Sequence, residues 1–179
     1  MNTVPHVLIV VSLLALLAAA ACCDVKRFRI PNLITAPGVL LGLALNALLP
    51  DALGLTSALY GLALGLLGLL PLYLLRIWGA GDVKLVAMVG AFLGPTATIT
   101  TVLFSFVAGG VIAVLVTWQG RKGKLLLDNL RFMIYSVVLN ARLRTAPVIE
   151  PPAESAGKLA YAVPILAGTV AYIAYQALQ

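Results

Sequence analysis

Residues 85–120, LVAMVGAFLGPTATITTVLFSFVAGGVIAVLVTWQG, contain no charged side chain. This stretch is too apolar for the surface of a soluble domain, and it is also too long for one ordinary membrane helix of about 20 residues. Gly94 and Pro95 lie inside it, and both residue types interrupt helices. The sequence therefore predicts two membrane helices here, a short one near residues 83–94 and a longer one near residues 97–118.

The composition of the whole chain indicates the same class of protein. Of the 179 residues, 62% are apolar and 10% are charged, whereas soluble domains are about 45–50% apolar and about 25% charged. These values exclude an ordinary soluble fold, a disordered chain and a disulfide scaffold. We predict an all-α, polytopic membrane protein that forms a single domain over residues 1–179.

Four further apolar runs are long enough, or nearly so, to cross a bilayer. They cover residues 4–23, 33–49, 55–75 and 159–178. With the two helices around Gly94 they make about six transmembrane helices, with the N- and C-termini on the extracytoplasmic side. The polar segment 121–158 carries an apolar stripe at helical spacing, which predicts a helix in the cytoplasmic membrane interface or, equally, a short buried helix.

The basic residues support this topology. The chain has 12 Lys and Arg residues and a net charge of +6. In the six-span arrangement all of them fall in loops 23–32, 76–84 and 119–158, which share one side of the membrane, as the positive-inside rule expects of the cytoplasmic side. Because they lie between apolar runs, we expect contacts with membrane lipids and no binding of nucleic acid.

The sequence offers no recognisable metal or cofactor site. Cys22 and Cys23 are adjacent and His6 is the only histidine, so no Cys/His spacing for zinc exists. Gly79 and Gly81 lack the preceding strand and the remaining glycines of a dinucleotide-binding loop. We therefore expect neither a metal nor a cofactor.

Two of the six acidic residues, Asp24 and Asp82, are predicted at the cytoplasmic membrane edge on different helices. An ionisable residue at membrane depth is costly and is by default a functional candidate. Two adjacent carboxylates can share a proton and activate water, which is aspartic-protease chemistry. The simpler alternatives are that Asp82 caps a helix and that Asp24 pairs with Lys26 or Arg27 in solvent.

The segments that carry these aspartates are DVKRFRIPN at 24–32 and GAGDVKL at 79–85. Together they resemble the two signature regions of prepilin peptidases, the GxGD-type intramembrane aspartic proteases that process type IV pilin precursors. Residues 158–164, KLAYAVP, resemble the start of that family's last helix. The resemblance implies that Asp24 and Asp82 are the catalytic pair.

The same resemblance gives supporting positions within both motifs. They are Arg29, Pro31, Asn32, Gly79, Gly81 and Lys84. The two glycines would shape the loop that presents Asp82, and Pro31 and Asn32 would set the turn into the second helix, with Asn32 as its cap. Lys84 and Arg29 would orient a carboxylate or contact lipid headgroups.

The larger bacterial members of that family carry a cysteine-rich, zinc-binding insertion after the first span and also methylate the new N-terminus. This sequence has no such insertion, so it resembles the compact members that serve tight-adherence (Flp-type) pili or the archaeal preflagellin peptidases, and N-methylation stays open. The resemblance implies a substrate with a short basic leader followed by an apolar helix. The oligomeric state is not predicted.

Two other functions fit a membrane protein with paired aspartates. One is a small ion- or proton-coupled transporter that uses Asp24 and Asp82 as ligands. It predicts inverted repeats, and residues 1–76 and 85–179 show no convincing match. The other is a non-catalytic membrane scaffold for pilus assembly.

Overall fold

The structure, a computed structural model, describes residues 3–50, 52–75, 78–119 and 160–178. The helices of these ranges are α1 (Thr3–Arg27), α2 (Asn32–Leu48), α3 (Leu55–Leu74), α4 (Ala80–Gln119) and α5 (Ala162–Ala177). This architecture confirms the predicted all-α class. The helix predicted within residues 121–158 lies outside the described residues.

Three of these helices are long and apolar enough to cross a membrane. They are Pro5–Arg27 of α1, Leu55–Leu74 and Ala80–Trp118 of α4. The other two, α2 and α5, are apolar but shorter. The chain is therefore a multi-pass membrane protein, as its composition predicts.

Helix α4 contains the break that the Gly94–Pro95 pair predicts. Gly94 leaves the helical region with φ 77° and ψ 179°, a conformation that glycine adopts without steric cost. Beyond the break the chain returns, because the Phe106 ring packs against Trp78, just ahead of α4, at a centroid distance of 5.4 Å. Residues 80–93 and 95–119 thus form a helical hairpin.

A buried amide on α2 stabilises this break. Pro95 has no N–H, so the Ala91 carbonyl loses its usual donor four residues later. Asn46, 2% exposed, donates through Nδ2 to the carbonyls of Ala91 (3.0 Å) and Phe92 (3.1 Å). Its Oδ1 accepts the N–H of Leu53 at 3.3 Å. One side chain therefore satisfies carbonyls at the break and also fixes the α2–α3 connection.

Residues 80–93 form the centre of the bundle. The largest fully buried side chains in this segment are Leu85, Val86, Met88, Val89 and Phe92. Helices α1, α2, α3 and α5 all contact α4. This position holds the first turn of α4, with Asp82, between the other helices.

Helix α3 packs against residues 80–93 backbone to backbone. A Cβ at Gly61 would overlap the carbonyl oxygen of Gly90, and one at Gly65 would lie 2.8 Å from the carbonyl oxygen of Val86. Small residues at i, i+4 spacing allow this kind of close approach in membrane helices. The position of α4 therefore depends on the absence of side chains at these sites.

Candidate active site

Asp24 lies in the last turns of α1 and is 6% exposed. Its Oδ2 accepts a hydrogen bond of 3.0 Å from the backbone N–H of Ala162, the first residue of α5. The first N–H groups of a helix have no partner within it and carry the positive end of the helix dipole. The N-terminus of α5 thus supplies a fixed donor to this carboxylate. The alternative in which Asp24 pairs with a basic neighbour in solvent is wrong, because the side chain is buried.

Asp82 is the third residue of α4 and is half-buried. Its Oδ2 accepts the backbone N–H of Gly79 at 3.2 Å, while the Gly79 carbonyl accepts the N–H groups of Asp82 (3.1 Å) and Val83 (3.3 Å). An acidic side chain at the third helical position that reaches back to the residue before the helix is one half of a capping box. Asp82 therefore stabilises the start of α4, as the helix-capping alternative expects. It does so from the third helical residue and not from the position before the first turn.

Gly79 leaves room for this arrangement. A Cβ at Gly79 would lie 3.1 Å from Asp82 Oδ2, closer than most side-chain contacts. A larger residue would push the carboxylate away from the N–H that it accepts. This is the physical role of the first motif glycine in the structure.

The two motif segments meet through two further contacts. A Cβ at Gly81 would lie 3.1 Å from the Cβ of Ile30, so the second motif glycine lets α4 approach the turn after α1. Lys84 donates from Nζ to Oδ1 of Asn32 at 3.0 Å. The structure thus joins segment 24–32 to segment 79–85, as the resemblance implies.

The predicted cap of α2 is wrong. Pro31 occupies the position before the first helical residue, with φ −68° and ψ 136°, and no side chain caps the helix there. Asn32 is the first helical residue, and its amide oxygen accepts the Lys84 ammonium. The cross-helix contact therefore uses the side chain that we expected to serve its own helix. Arg29 is exposed in the turn between α1 and α2, and its role stays unassigned.

The carboxylates of Asp24 and Asp82 lie close enough to interact electrostatically. Their backbone donors are linked by aromatic contacts. Tyr161, immediately before Ala162, packs its ring on Trp78, immediately before Gly79, at a centroid distance of 4.8 Å. Both aspartates therefore occupy one end of the helix bundle, each held by an N–H at the start of a different helix.

Sequence reasoning missed the aromatic residues of this site. Trp78 is 6% exposed and contacts both Tyr161 and Phe106. A Cβ at Gly109 would lie 3.2 Å from the Tyr161 hydroxyl, so this residue makes space for the tyrosine. Their positions in the sequence could have indicated them, because Trp78 directly precedes the second motif and Tyr161 lies in the KLAYAVP stretch. Their partnership depends on the fold of α4 and could not be seen along the chain.

Within the ranges that the structure describes, no group of three or more His, Cys, Asp or Glu residues is placed to hold a metal ion. Cys22 is exposed and Cys23 is half-buried, and both are free thiols. The site described here therefore consists of two carboxylates, backbone donors and aromatic side chains.

Comparisons of the sequence with known proteins identify a family. The Type IV leader peptidase family matches residues 11–114, more than half of the chain and a range that includes both aspartates. A prepilin leader peptidase/N-methyltransferase of Burkholderia pseudomallei (strain 1026b) is 34% identical over 116 residues, which cover 61% of this chain and 37% of that protein. One of the same name from Myxococcus xanthus (strain DK1622) is 36% identical over 120 residues, 62% of this chain and 35% of that protein.

The match thus spans little more than a third of these relatives. No solved structure matches significantly. The family match confirms the resemblance carried by the two aspartate motifs: the chain belongs to the type IV leader peptidase family.

Proposed function

We propose that this protein is a membrane aspartic endopeptidase that removes the short basic leader from prepilin-like precursors at the cytoplasmic face of the inner membrane. The observation that carries the proposal is the placement of Asp24 and Asp82 at one end of the bundle, each accepting a helix N-terminal N–H. The family match and the printed names of the relatives support it.

The chemistry follows from two carboxylates that share a site. Because negative charge on one disfavours charge on the other, one aspartate keeps its proton while its partner is ionised. The ionised carboxylate removes a proton from a water molecule as that water attacks the scissile carbonyl carbon. The protonated carboxyl group donates its proton to the carbonyl oxygen, giving a tetrahedral diol. As the diol collapses and its C–N bond breaks, the aspartate that took the proton from water gives it to the leaving amine. The other carboxylate, ionised by its earlier donation, takes a proton from one diol hydroxyl, which completes the new carboxylic acid and restores the pair.

The helix N-termini prepare the pair for this exchange. The N–H groups of Ala162 and Gly79 each fix one carboxylate oxygen, so the carboxylates need little reorganisation before reaction. Charge-assisted bonds of this kind are stronger than neutral ones. Either aspartate can therefore carry the negative charge in the membrane-edge environment.

The substrate would present its cleavage site from the bilayer. Its apolar helix lies beside the enzyme, which brings the scissile bond between the leader and this helix to the bundle end that holds Asp24 and Asp82. The proposed orientation has six spans and both termini outside. The basic loops determine this topology and contact lipid, because like charge does not attract a basic leader. The compact sequence favours precursors of Flp-type pili or of the archaeal preflagellin kind.

The proposal is tested with purified protein reconstituted in vesicles and a precursor that contains a basic leader and an apolar helix. Asp24→Asn and Asp82→Asn should each lower the cleavage rate at least about 100-fold, the lower end of general acid–base contributions. Asp51→Asn, outside both motifs, serves as the control and should cleave normally. Wild-type cleavage by either motif variant, still inserted in the membrane, would refute the assignment.

The same preparation separates the two rival functions. Ion flux without precursor cleavage would instead indicate a transporter. A scaffold would be indicated if both motif variants cleaved the precursor at the wild-type rate and also still supported assembly of pilin supplied already cleaved.

A further inference from the structure

An open groove of about 520 Å³ lies between α2, α3 and residues 80–93 of α4. One end is polar and is formed by Asn32, Thr35 and Lys84. The rest of the wall is apolar, with leucines from both α2 and α3. Neither catalytic candidate is among its lining residues, so the groove is a second site beside the first.

The polar end can bind an anionic group. Lys84 is exposed, and its ammonium has three donors, of which Asn32 Oδ1 takes one at 3.0 Å. The Asn32 amide nitrogen adds donors at the same end. A phosphate oxygen placed here would meet a positive charge and amide donors together.

The apolar part suits a hydrocarbon chain. Leu40 of α2 and Leu66 of α3 line it and are 68% and 41% exposed. In a protein that spans a membrane, such a surface faces lipid tails and not water. The groove runs from the bundle end that carries Asp24 and Asp82 toward the middle of the helices, which is the direction of an acyl chain below its headgroup.

The size of the groove suits a lipid tail. Its volume of about 520 Å³ falls in the range of about 300–1,000 Å³ that is usual for small-molecule sites.

We propose that this groove binds one anionic phospholipid, with its phosphate at Lys84 and Asn32 and one acyl chain between α2, α3 and residues 80–93. The proposal goes beyond the peptidase function and does not depend on it. Asn32 follows the Asp24 segment and Lys84 follows Asp82, so the headgroup would tie together the two segments that carry the aspartates.

The test measures lipid binding by native mass spectrometry and thermal unfolding of the detergent-purified protein. Phosphatidylglycerol should add one tightly bound molecule and raise the unfolding temperature, whereas phosphatidylcholine and inorganic phosphate should do so much less. Lys84→Met should weaken phosphatidylglycerol binding about fivefold, the effect of one basic residue at a membrane surface. Lys26→Met, which removes the same charge from α1, should not.

A second pair of variants tests the apolar part. Ala36→Phe places a large side chain in the groove from an exposed position on α2 and should abolish the bound lipid. Ala44→Phe adds the same side chain to α2 at an exposed position that does not line the groove. It should leave binding unchanged.

Three results would overturn the proposal. Equal losses in the groove variants and their controls would show general lipid adsorption. Stabilisation by inorganic phosphate alone would show an anion site that does not use the groove. Displacement of the lipid by a pilin-like apolar helix, together with retained binding of that helix by Lys84→Met, would make the groove a substrate site.

Discussion

The contact of α3 with α4 gives the sharpest stability prediction. A methyl group at Gly61 would overlap the Gly90 carbonyl oxygen, and a backbone atom cannot swing aside as a flexible side chain can. Gly61→Ala should therefore lower the free energy of unfolding by the overpacking cost of about 1–3 kcal/mol. Gly68, on the same helix, has nothing within 4 Å of the corresponding position. Gly68→Ala should be neutral or stabilising by up to about 1 kcal/mol, since alanine favours helix.

The two variants should thus differ by about 1–4 kcal/mol. For a chain of this size, about 2–4 °C per kcal/mol gives a difference of about 2–16 °C in the unfolding temperature. Thermal unfolding of both variants in one detergent, followed by circular dichroism, measures it. Precursor cleavage by Gly61→Ala should also fall, because the shifted helix carries Asp82. Equal unfolding temperatures for the two variants would refute the backbone-to-backbone packing of α3 and α4.

Three further predictions concern the break in α4 and the positioning of Asp24. Asn46→Leu leaves buried carbonyls without a donor and should lower the free energy of unfolding by about 1–3 kcal/mol, measured by thermal unfolding. Thr100→Val, which removes a hydroxyl bonded only within its own helix, should cost much less. Tyr161→Ala should slow precursor cleavage by loosening the packing on Trp78, whereas Tyr161→Phe, which keeps the ring, should retain most of the rate. Ala162→Pro removes the N–H bound by Asp24, and the loss of one charged hydrogen bond should slow cleavage about 10- to 150-fold. An equally large further loss when Ala162→Pro is added to Asp24→Asn would contradict that positioning role.

The sequence was sufficient to predict the features that depend on local chemistry. The break at Gly94 follows from a glycine and a proline within one uncharged stretch. The membrane class follows from the scarcity of charge, and the proximity of Asp24 and Asp82 was implied by the resemblance of their motifs. Each of these needs only the residues themselves or a known pattern.

The remaining features depend on which helices become neighbours. Asn46 is far along the chain from the carbonyls it serves, and nothing around it indicates that it compensates for Pro95. Asn32 at a helix start predicts a cap, but the arrival of Lys84 gives its amide a partner on α4. Tyr161 is an ordinary interfacial tyrosine by sequence, and only the hairpin of α4 brings Trp78 to its ring.

The central claim is that Asp24 and Asp82 act as one catalytic pair. The most direct test is the single-turnover rate of precursor cleavage by Asp24→Asn, Asp82→Asn and the double variant in vesicles. Residues that act as a unit show non-additive losses. The account predicts that each single variant loses nearly all activity and that the double variant is no slower than either. Near-normal cleavage by one single variant, or losses that multiply in the double variant, would contradict it.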